Sequence, residues 1–593
     1  MGAVAPFRRA AVDGTIRTHM RRAPLFWSVL VLAVAVAFAH AWSLGWTCDD
    51  AYISFRYAKN FVDGNGLVFN LDPTEAPVEG YTNFTWTMWL AVGIALGFTG
   101  DLLETWSIFW GALLHAATVF LLGFGAWRSS RGTALVPIAA PAYAASYAAA
   151  SLAPAGLETA LFTFLGVAMW LLSIERRCGK KLWLLGFLGA FAAMTRPDGA
   201  LFVAAAGAMV LLDAMSAKSP RIVLAYAMPI VGCVVPYVLW RHAYYGYWVP
   251  NTFFAKSGGD PHVEQGWNYV VDYFVCYGFT LVPAAALLLA LPLRRKGLFA
   301  AVDPWSGPRA GIATALFVLP YVAFVAWVGG DFMFGRFLLP VTPLVLIALD
   351  LWLQKSRPLC VAAMGMATMG MLFRNDPPYL LDYAGAVSDN RAISVVEVQP
   401  GMPLTEYARI AGHEMKRLFD GLEVRLGVAG GHANFAYRAE VPVAVECAAG
   451  LTDAYIAHMP VPPRGKVGHE RPWPLYPDYL LKRKLHFMLE GSYATGGICD
   501  QYRALAFPLP GLPDALAMPV RIVTWDSKLM AELRRRQPRL LGSDFEGALD
   551  AYIAAMPTKS KAQVEKDFAD FRAFYFDHAD DAARRAAFES FLK

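Results

Sequence analysis

Charge is scarce in this chain: Asp, Glu, Lys and Arg make up 17% of the 593 residues, hydrophobic residues 56%, and the mean hydropathy is +0.39. That balance excludes an ordinary soluble enzyme and points to an integral membrane protein. A strong charge of either sign is also missing. The 52 basic and 47 acidic residues leave a formal net charge of +5, and the basic ones come in short clusters between apolar runs rather than in a stripe, which argues against a nucleic-acid partner. Cysteine is sparse, with 7 residues and no CxxC pair, so neither a structural zinc site nor a redox motif is indicated. Cys447 and Cys499 lie in the polar C-terminal part, where an oxidising compartment would permit a disulfide without requiring one. Internal repeats and low-complexity tracts are absent. The Gly430-Gly431 pair lacks a G-x-G-x-x-G frame and reads as a turn, with phosphate binding at a helix N-terminus as the alternative.

What is present is a series of apolar runs, several of them near the roughly 20 residues needed to cross a bilayer. The first, 24–44, follows Arg8, Arg9, Arg17, Arg21 and Arg22, so the positive-inside rule puts the N-terminus in the cytoplasm and Asp49 and Asp50 outside. A cleaved signal peptide is the competing reading, because Ala39-His40-Ala41 has the form of a cleavage site, but many further spans follow. Further runs lie near 105–127, 133–152, 157–174, 182–195, 199–215, 221–240, 272–293, 310–328, 339–353 and 358–373. The clusters Arg128/Arg131, Arg176/Arg177/Lys180/Lys181, Lys218/Arg221, Arg294/Arg295/Lys296 and Lys355/Arg357 mark the cytoplasmic side. The opposite loops carry "GLET" (156–159), "RPDG" (196–199), "YYGYWVPNTFFAK" (244–256) and "GGDFMFGRF" (329–337), which mix acids, amides and aromatics as a binding site does. Residues 84–97 are apolar but short, and are read as an interfacial helix with Trp86 and Trp89 at the headgroup level. The expected fold class is a multispanning α-helical membrane protein with about 11 spans in residues 1–373. Past "NDPP" (375–378), residues 374–593 read as a soluble extracytoplasmic α/β domain ending in helices.

The sharpest local feature is "DDAYISFR" (49–56), directly after the first span. Adjacent carboxylates at a membrane boundary are costly unless they meet water, a cation or a substrate. They can cap a helix from Ala51 whose apolar residues Tyr52, Ile53, Phe55, Tyr57, Phe61 and Val62 leave Arg56, Lys59, Asn60 and Asp63 open to water or ligand, and which Gly64 and Gly66 end. One acid suffices as a cap, and a second adds repulsion, which favours a functional role. A carboxylate here suits a general base that takes the proton of a hydroxyl attacking an activated carbon. Its neighbour could orient the acceptor or hold a divalent cation, a point that two oxygen donors leave open.

"DDAYISFRYAKNFVDGNGLVFN", "VEGYTNFTWTMWL", "GLET", "RPDG", "YYGYWVPNTFFAK" and "GGDFMFGRFLLP", with "GLTDAYIAHMP" (450–460) and "GHERPWP" (468–474), occur in this order. Together they resemble the lipid-linked terminal arabinofuranosyltransferases of actinobacterial cell-wall synthesis and their bacterial relatives, multispanning glycosyltransferases of the GT-C fold. The resemblance implies a polyprenyl-phosphate sugar donor, arabinofuranose-like, and transfer to a cell-envelope glycan acceptor on the outer face of a bacterial inner membrane. It puts Asp49 and Asp50 at the catalytic acidic position.

An anionic donor whose leaving phosphate gains charge needs cations. Arg336, Lys256 and Arg196 are the candidates for that phosphate, with Arg241 and His242 behind them. Sugar hydroxyls need planar polar groups and aromatic faces, for which Arg56, Glu79, Tyr81, Asn83, Glu158, Asp198, Tyr245, Asn251 and Asp331 are available, with Tyr244 and Trp248 as further platforms. His469, with Glu470, Trp473 and Tyr476, is a candidate for the acceptor, and it lacks the second histidine of an H-E-x-x-H zinc site. Structural readings stand beside these: Arg336 paired with Asp331, Asp198 and Glu158 as helix caps, Lys256 as a solvated loop lysine. The alternative to an enzyme is a multispanning glycan-binding, assembly or transport protein. A transporter would carry inverted repeats and acids at mid-membrane, whereas nearly all acids here lie in loops.

Overall fold

The computed structural model describes residues 6–175, 179–256, 261–277, 307–354, 357–373, 387–428, 433–460, 477–489 and 493–593. Two units are distinguished: Met1–Ser54, Thr82–Val249 and Gly259–Ile393 form the first, Phe55–Tyr81, Pro250–Gly258 and Ser394–Lys593 the second.

Apolar composition makes the first unit helical. In chain order come α1 (Pro6–Ser43), α2 (Asp49–Val62), α3 (Phe84–Ala95), α4 (Leu102–Ser129), α5 (Ala139–Ala145), α6 (Tyr147–Leu152), α7 (Thr159–Ile174), α8 (Gly179–Thr195), α9 (Gly199–Ala217) and α10 (Arg221–Tyr245). After α11 (Asn251–Ala255) and α12 (Val263–Cys276), the helices Gly307–Val328, Thr342–Leu353 and Arg357–Leu372 follow. Among the described residues, 5 stretches are long and apolar enough to cross a membrane: Pro24–Ser43, Leu102–Ser129, Gly199–Ala217, Arg221–Tyr245 and Arg309–Val328. The chain is thus a multispanning helical membrane protein. Charged helix ends are neutralised in pairs. Glu175 meets Arg128 at 2.9 Å and also Lys181, and Arg309 grips Asp213 at 2.8 and 2.9 Å while donating to the final carbonyls of α7.

Two expectations change here. The apolar run 133–152 is not one helix: Ser146 is extended (φ −66°, ψ 113°), and its hydroxyl caps α6, accepting the Ala149 N–H, so α5 ends there. Trp86 does not face headgroups; it is buried and donates to the Gly156 carbonyl at 2.8 Å, while Trp89 packs against Trp106 and Trp110. Most of the run 272–293 lies outside the described residues, as do Gly430, Gly431, His469, Glu470, Trp473 and Tyr476.

The second unit begins with the rest of α2. From Phe55 to Asn60 this helix is buried nearly all round except at the half-buried Lys59, so Arg56 and Asn60 are not open to water, whereas Phe61 and Val62 at its end are exposed; Gly64 and Gly66 in left-handed conformation (φ 84° for both) end it. A short ribbon, β1 (Glu397–Gln399) with β2 (Met402–Pro403), leads into the amphipathic helix Leu404–Phe419. Then come β3 (Arg425–Val428), β4 (Val443–Glu446), β5 (Phe487–Leu489), β6 (Ala504–Phe507), β7 (Met518–Ile522) and β8 (Leu541–Gly542). They make a sheet in the order β4-β3-β5-β7-β6-β8, parallel at β4-β3-β5 and antiparallel beyond. Val443, Val445, Ile456, Leu485, Met488 and Val523 pack into its core. The division differs from a cut at residue 374: residues 55–81 and 250–258 group with the C-terminal sheet. Asp72, a buried carboxylate held by Arg425 and by Arg483 at 3.5 Å, shows why the first of these stays there. Cys447 and Cys499 are free, buried thiols.

Candidate active site

The loops singled out in the first unit converge. The Cys48 N–H donates to the Ala155 carbonyl at 2.9 Å, joining the end of the first span to "GLET". α2 starts at Asp49, so both aspartates form its first turn, where the helix dipole favours negative charge, and both are half-buried. Gly156 (φ 81°) lies against this turn: a Cβ there would stand 2.8 Å from the Ala51 Cβ and 3.0 Å from Thr47. A glycine is needed on both counts.

Glu158, buried just before α7, accepts the Asn83 amide at 3.0 Å, and the Asn83 oxygen accepts the Ser54 and Thr87 hydroxyls at 3.0 and 3.1 Å. Opposite, an Arg196 nitrogen stands 3.8 Å from Glu158. Arg196 also grips Asp198 through two 2.9 Å hydrogen bonds, and the Tyr321 hydroxyl donates to Asp198 at 2.7 Å. The guanidinium lies over Phe162 and Phe337, 5.0 and 4.6 Å from their centroids. Arg336, in "GGDFMFGRF", pairs with Asp331 at 2.9 Å; both are buried. This loop wraps Tyr269, which donates to the Met333 carbonyl at 3.0 Å and accepts the Phe337 N–H at 3.3 Å.

These groups form one electrostatic cluster. Burial opposes the Arg336 charge, but Asp331, Glu158 and Asp50 outweigh it and hold its pKa above the ordinary value. Arg196 is likewise raised against its burial by Asp198, Tyr321 and Glu158. The Cys48 thiol is pushed well up by burial and by Asp50 and Asp49, which keeps it neutral. The acids Asp49, Asp50, Glu158, Asp198 and Asp331 outnumber Arg196 and Arg336. Among the described residues, no three His, Cys, Asp or Glu side chains are grouped so as to hold a metal ion.

Other candidates lie elsewhere. Tyr245 ends α10 with its ring buried against Trp240 and Tyr244, and His242 stacks on Trp248. In the second unit, Arg56 spends its guanidinium on backbone carbonyls: Phe69 at 2.6 Å, Ala436 at 2.5 Å, Val441 at 2.6 Å and Pro442 at 3.2 Å. Instead of opening to a ligand it ties α2 to residues 436–442. Asn251 similarly gives its amide to the Gly450 and Leu451 carbonyls at 2.7 and 3.0 Å, and its N–H to the Glu79 carbonyl at 3.0 Å. Glu79 and Tyr81 are buried in this unit, Tyr81 against Tyr57, and Lys256 follows α11 half-buried. Cys48, Tyr269 and Tyr321 were not singled out from sequence. The tyrosines fall within or beside apolar runs, where a ring reads as core, and Cys48 bore no motif.

No protein-family model matches the chain. It is 30% identical over 370 residues to a terminal β-(1→2)-arabinofuranosyltransferase of Corynebacterium glutamicum, covering 56% of this chain and 51% of that one. It is 31% identical over 351 residues to an enzyme of the same name from Mycobacterium tuberculosis, covering 54% of each. The chain spans about half the length of these curated relatives. A crystal structure of ArnT from Cupriavidus metallidurans bound to undecaprenyl phosphate is similar at a TM-score of 0.43 with 13% identity, over 72% of this chain and 87% of that one.

Proposed function

We propose that this chain is a membrane glycosyltransferase of the GT-C type, moving an arabinofuranose-like sugar from a polyprenyl-phosphate donor to a cell-envelope glycan on the outer face of a bacterial inner membrane. One observation carries the reading: the first turn of α2, which holds Asp49 and Asp50, is joined to "GLET" by the Cys48 N–H bond to the Ala155 carbonyl and the close approach of Gly156, and Glu158 of that loop stands 3.8 Å from the buried Arg196. A base and a phosphate-binding cation are what the reaction requires at one site. The identity to arabinofuranosyltransferases of two actinobacteria supports the choice of sugar.

In this reading Asp50, or Asp49 beside it, takes the proton of the acceptor hydroxyl. The hydroxyl oxygen bonds to the anomeric carbon as the carbon's bond to the phosphate oxygen breaks, and the lipid phosphate leaves with that electron pair. Arg336 offsets the charge growing on it. Arg196, oriented by Asp198 and Tyr321, adds a second positive centre, and Asn83, Glu158 and Asp331 supply hydrogen-bonding partners for sugar hydroxyls. The second unit, with His469, would hold the acceptor glycan.

The test is transfer by the purified full chain, Asp49→Asn and Asp50→Asn, from a panel of polyprenyl-phosphate sugars, arabinofuranose first, to oligosaccharide acceptors. Loss of general-base catalysis should cost about 10²–10⁴-fold in at least one folded variant. Full transfer by both variants removes the pair from the chemistry, and no transfer by the wild type with any donor favours a glycan-binding or assembly protein.

A further inference from the structure

The reading above leaves unused a small polar cavity inside the first unit. Its volume is ≈ 10 Å³, and His115 and Thr118 of α4, Tyr143 of α5, and Thr159 and Thr163 of α7 line it, with Leu339 and alanines on the apolar side. That is room for about one water molecule and no larger ligand.

Two of the threonine hydroxyls around it are accounted for: Thr118 donates to the Leu114 carbonyl and Thr163 to the Thr159 carbonyl, each at 2.8 Å. Two buried atoms differ: His115 Nε2 and Thr159 Oγ1 have no hydrogen-bond partner among the described residues. Both side chains belong to residues only 2% exposed. An imidazole within a membrane-spanning helix is expensive, and a buried polar atom left without a bond costs more than a made bond contributes. A single water between the two atoms removes both penalties.

We infer that the cavity is a hydration site, holding one ordered water shared by His115 Nε2 and Thr159 Oγ1. Thr159 is the first residue of α7, directly after Glu158. His115 is therefore a positioning residue: through the water it fixes the turn from which Glu158 reaches Asn83 and Arg196. This last step rests on the proposed transferase reading; the water does not.

Three measurements on the full chain decide it. A map that resolves ordered waters should show one about 3 Å from both atoms; a dry cavity in such a map overturns the inference. In thermal unfolding, His115→Phe and Thr159→Val should each lower the midpoint, and the double variant should fall no further than the worse single one, because the second change removes an atom already stranded. Additive losses, or His115→Gln behaving like His115→Phe although it keeps a donor, reduce His115 to packing. In transfer assays, His115→Phe should raise KM at nearly constant kcat and His115→Gln restore it. Unaltered KM refutes the positioning role. Absence of transfer by the wild type would instead sink the transferase reading, with the map and midpoints still deciding the water.

Discussion

Replacing Arg336 with Gln should separate its two roles. Its Nε lies 2.9 Å from Asp331, and the two side chains are 10% and 3% exposed. Removing the cation leaves a nearly dry carboxylate facing an amide, and breaking a buried pair in this way costs about 3–5 kcal/mol. Asp331→Asn should cost less, because Glu158 and Asp50 still act on the Arg336 charge. In Arg336→Gln/Asp331→Asn both charges are gone, and an amide pair can hydrogen-bond in their place, so most of the lost stability should return. Activity should not return with it. A missing donor aimed at developing charge costs about 10²–10³-fold, or about 2.7–4 kcal/mol in the transition state. The assay is the unfolding midpoint of the full chain in detergent beside kcat/KM for transfer. A double variant that recovers both stability and activity would refute the argument, reducing Arg336 to the ion partner of Asp331.

Arg56→Met should destabilise the second unit by about 1–3 kcal/mol for each carbonyl it strands, and Arg56→Lys should rescue little, since one ammonium cannot reach carbonyls on both Phe69 and Val441; limited proteolysis reads this, and wild-type resistance of Arg56→Met refutes it. Gly156→Ala combines a left-handed backbone with a 2.8 Å approach to Ala51, so a strain of about 1–3 kcal/mol should displace the first turn of α2 and lower transfer while insertion is kept. Burial pushes the His486 imidazole down to about 4, with its Nδ1 accepting the Arg425 N–H at 3.1 Å. The unfolded chain takes up that proton near 6.5, so this contribution is complete above about pH 6.5 and lost as pH falls toward 4, at most about 3 kcal/mol in all. His486→Gln should flatten the stability profile in that window; an unchanged slope shows that other groups set it.

The residues of the cluster were legible because their chemistry is incompatible with their surroundings. Asp49, Asp50, Glu158, Arg196, Asp198, Asp331 and Arg336 are charges bordering long apolar runs, and such charges need partners. Arg56 and Asn251 carried the same signal and proved to be clamps for backbone carbonyls, because a residue type does not reveal whether its acceptor is a substrate or the chain itself. Tyr321 is the opposite case. In the run 310–328 a tyrosine looks like packing, and its hydroxyl acquires meaning from Asp198, more than a hundred residues earlier.

The sequence by itself determined the membrane class and the helical character of the first half, since these follow from hydropathy, period and composition, which are local and additive. The end of α2 at Gly64 and Gly66 was local too. What the tertiary structure decided was partnership: that Ser146 breaks an apolar run in two, that residues 55–81 and 250–258 group with the C-terminal sheet, and that Gly156 packs against the turn carrying Asp49 and Asp50. Those depend on which distant segments pack together, and burial, hydrogen bonding and Coulomb interaction act through distance in space, which a linear pattern does not contain.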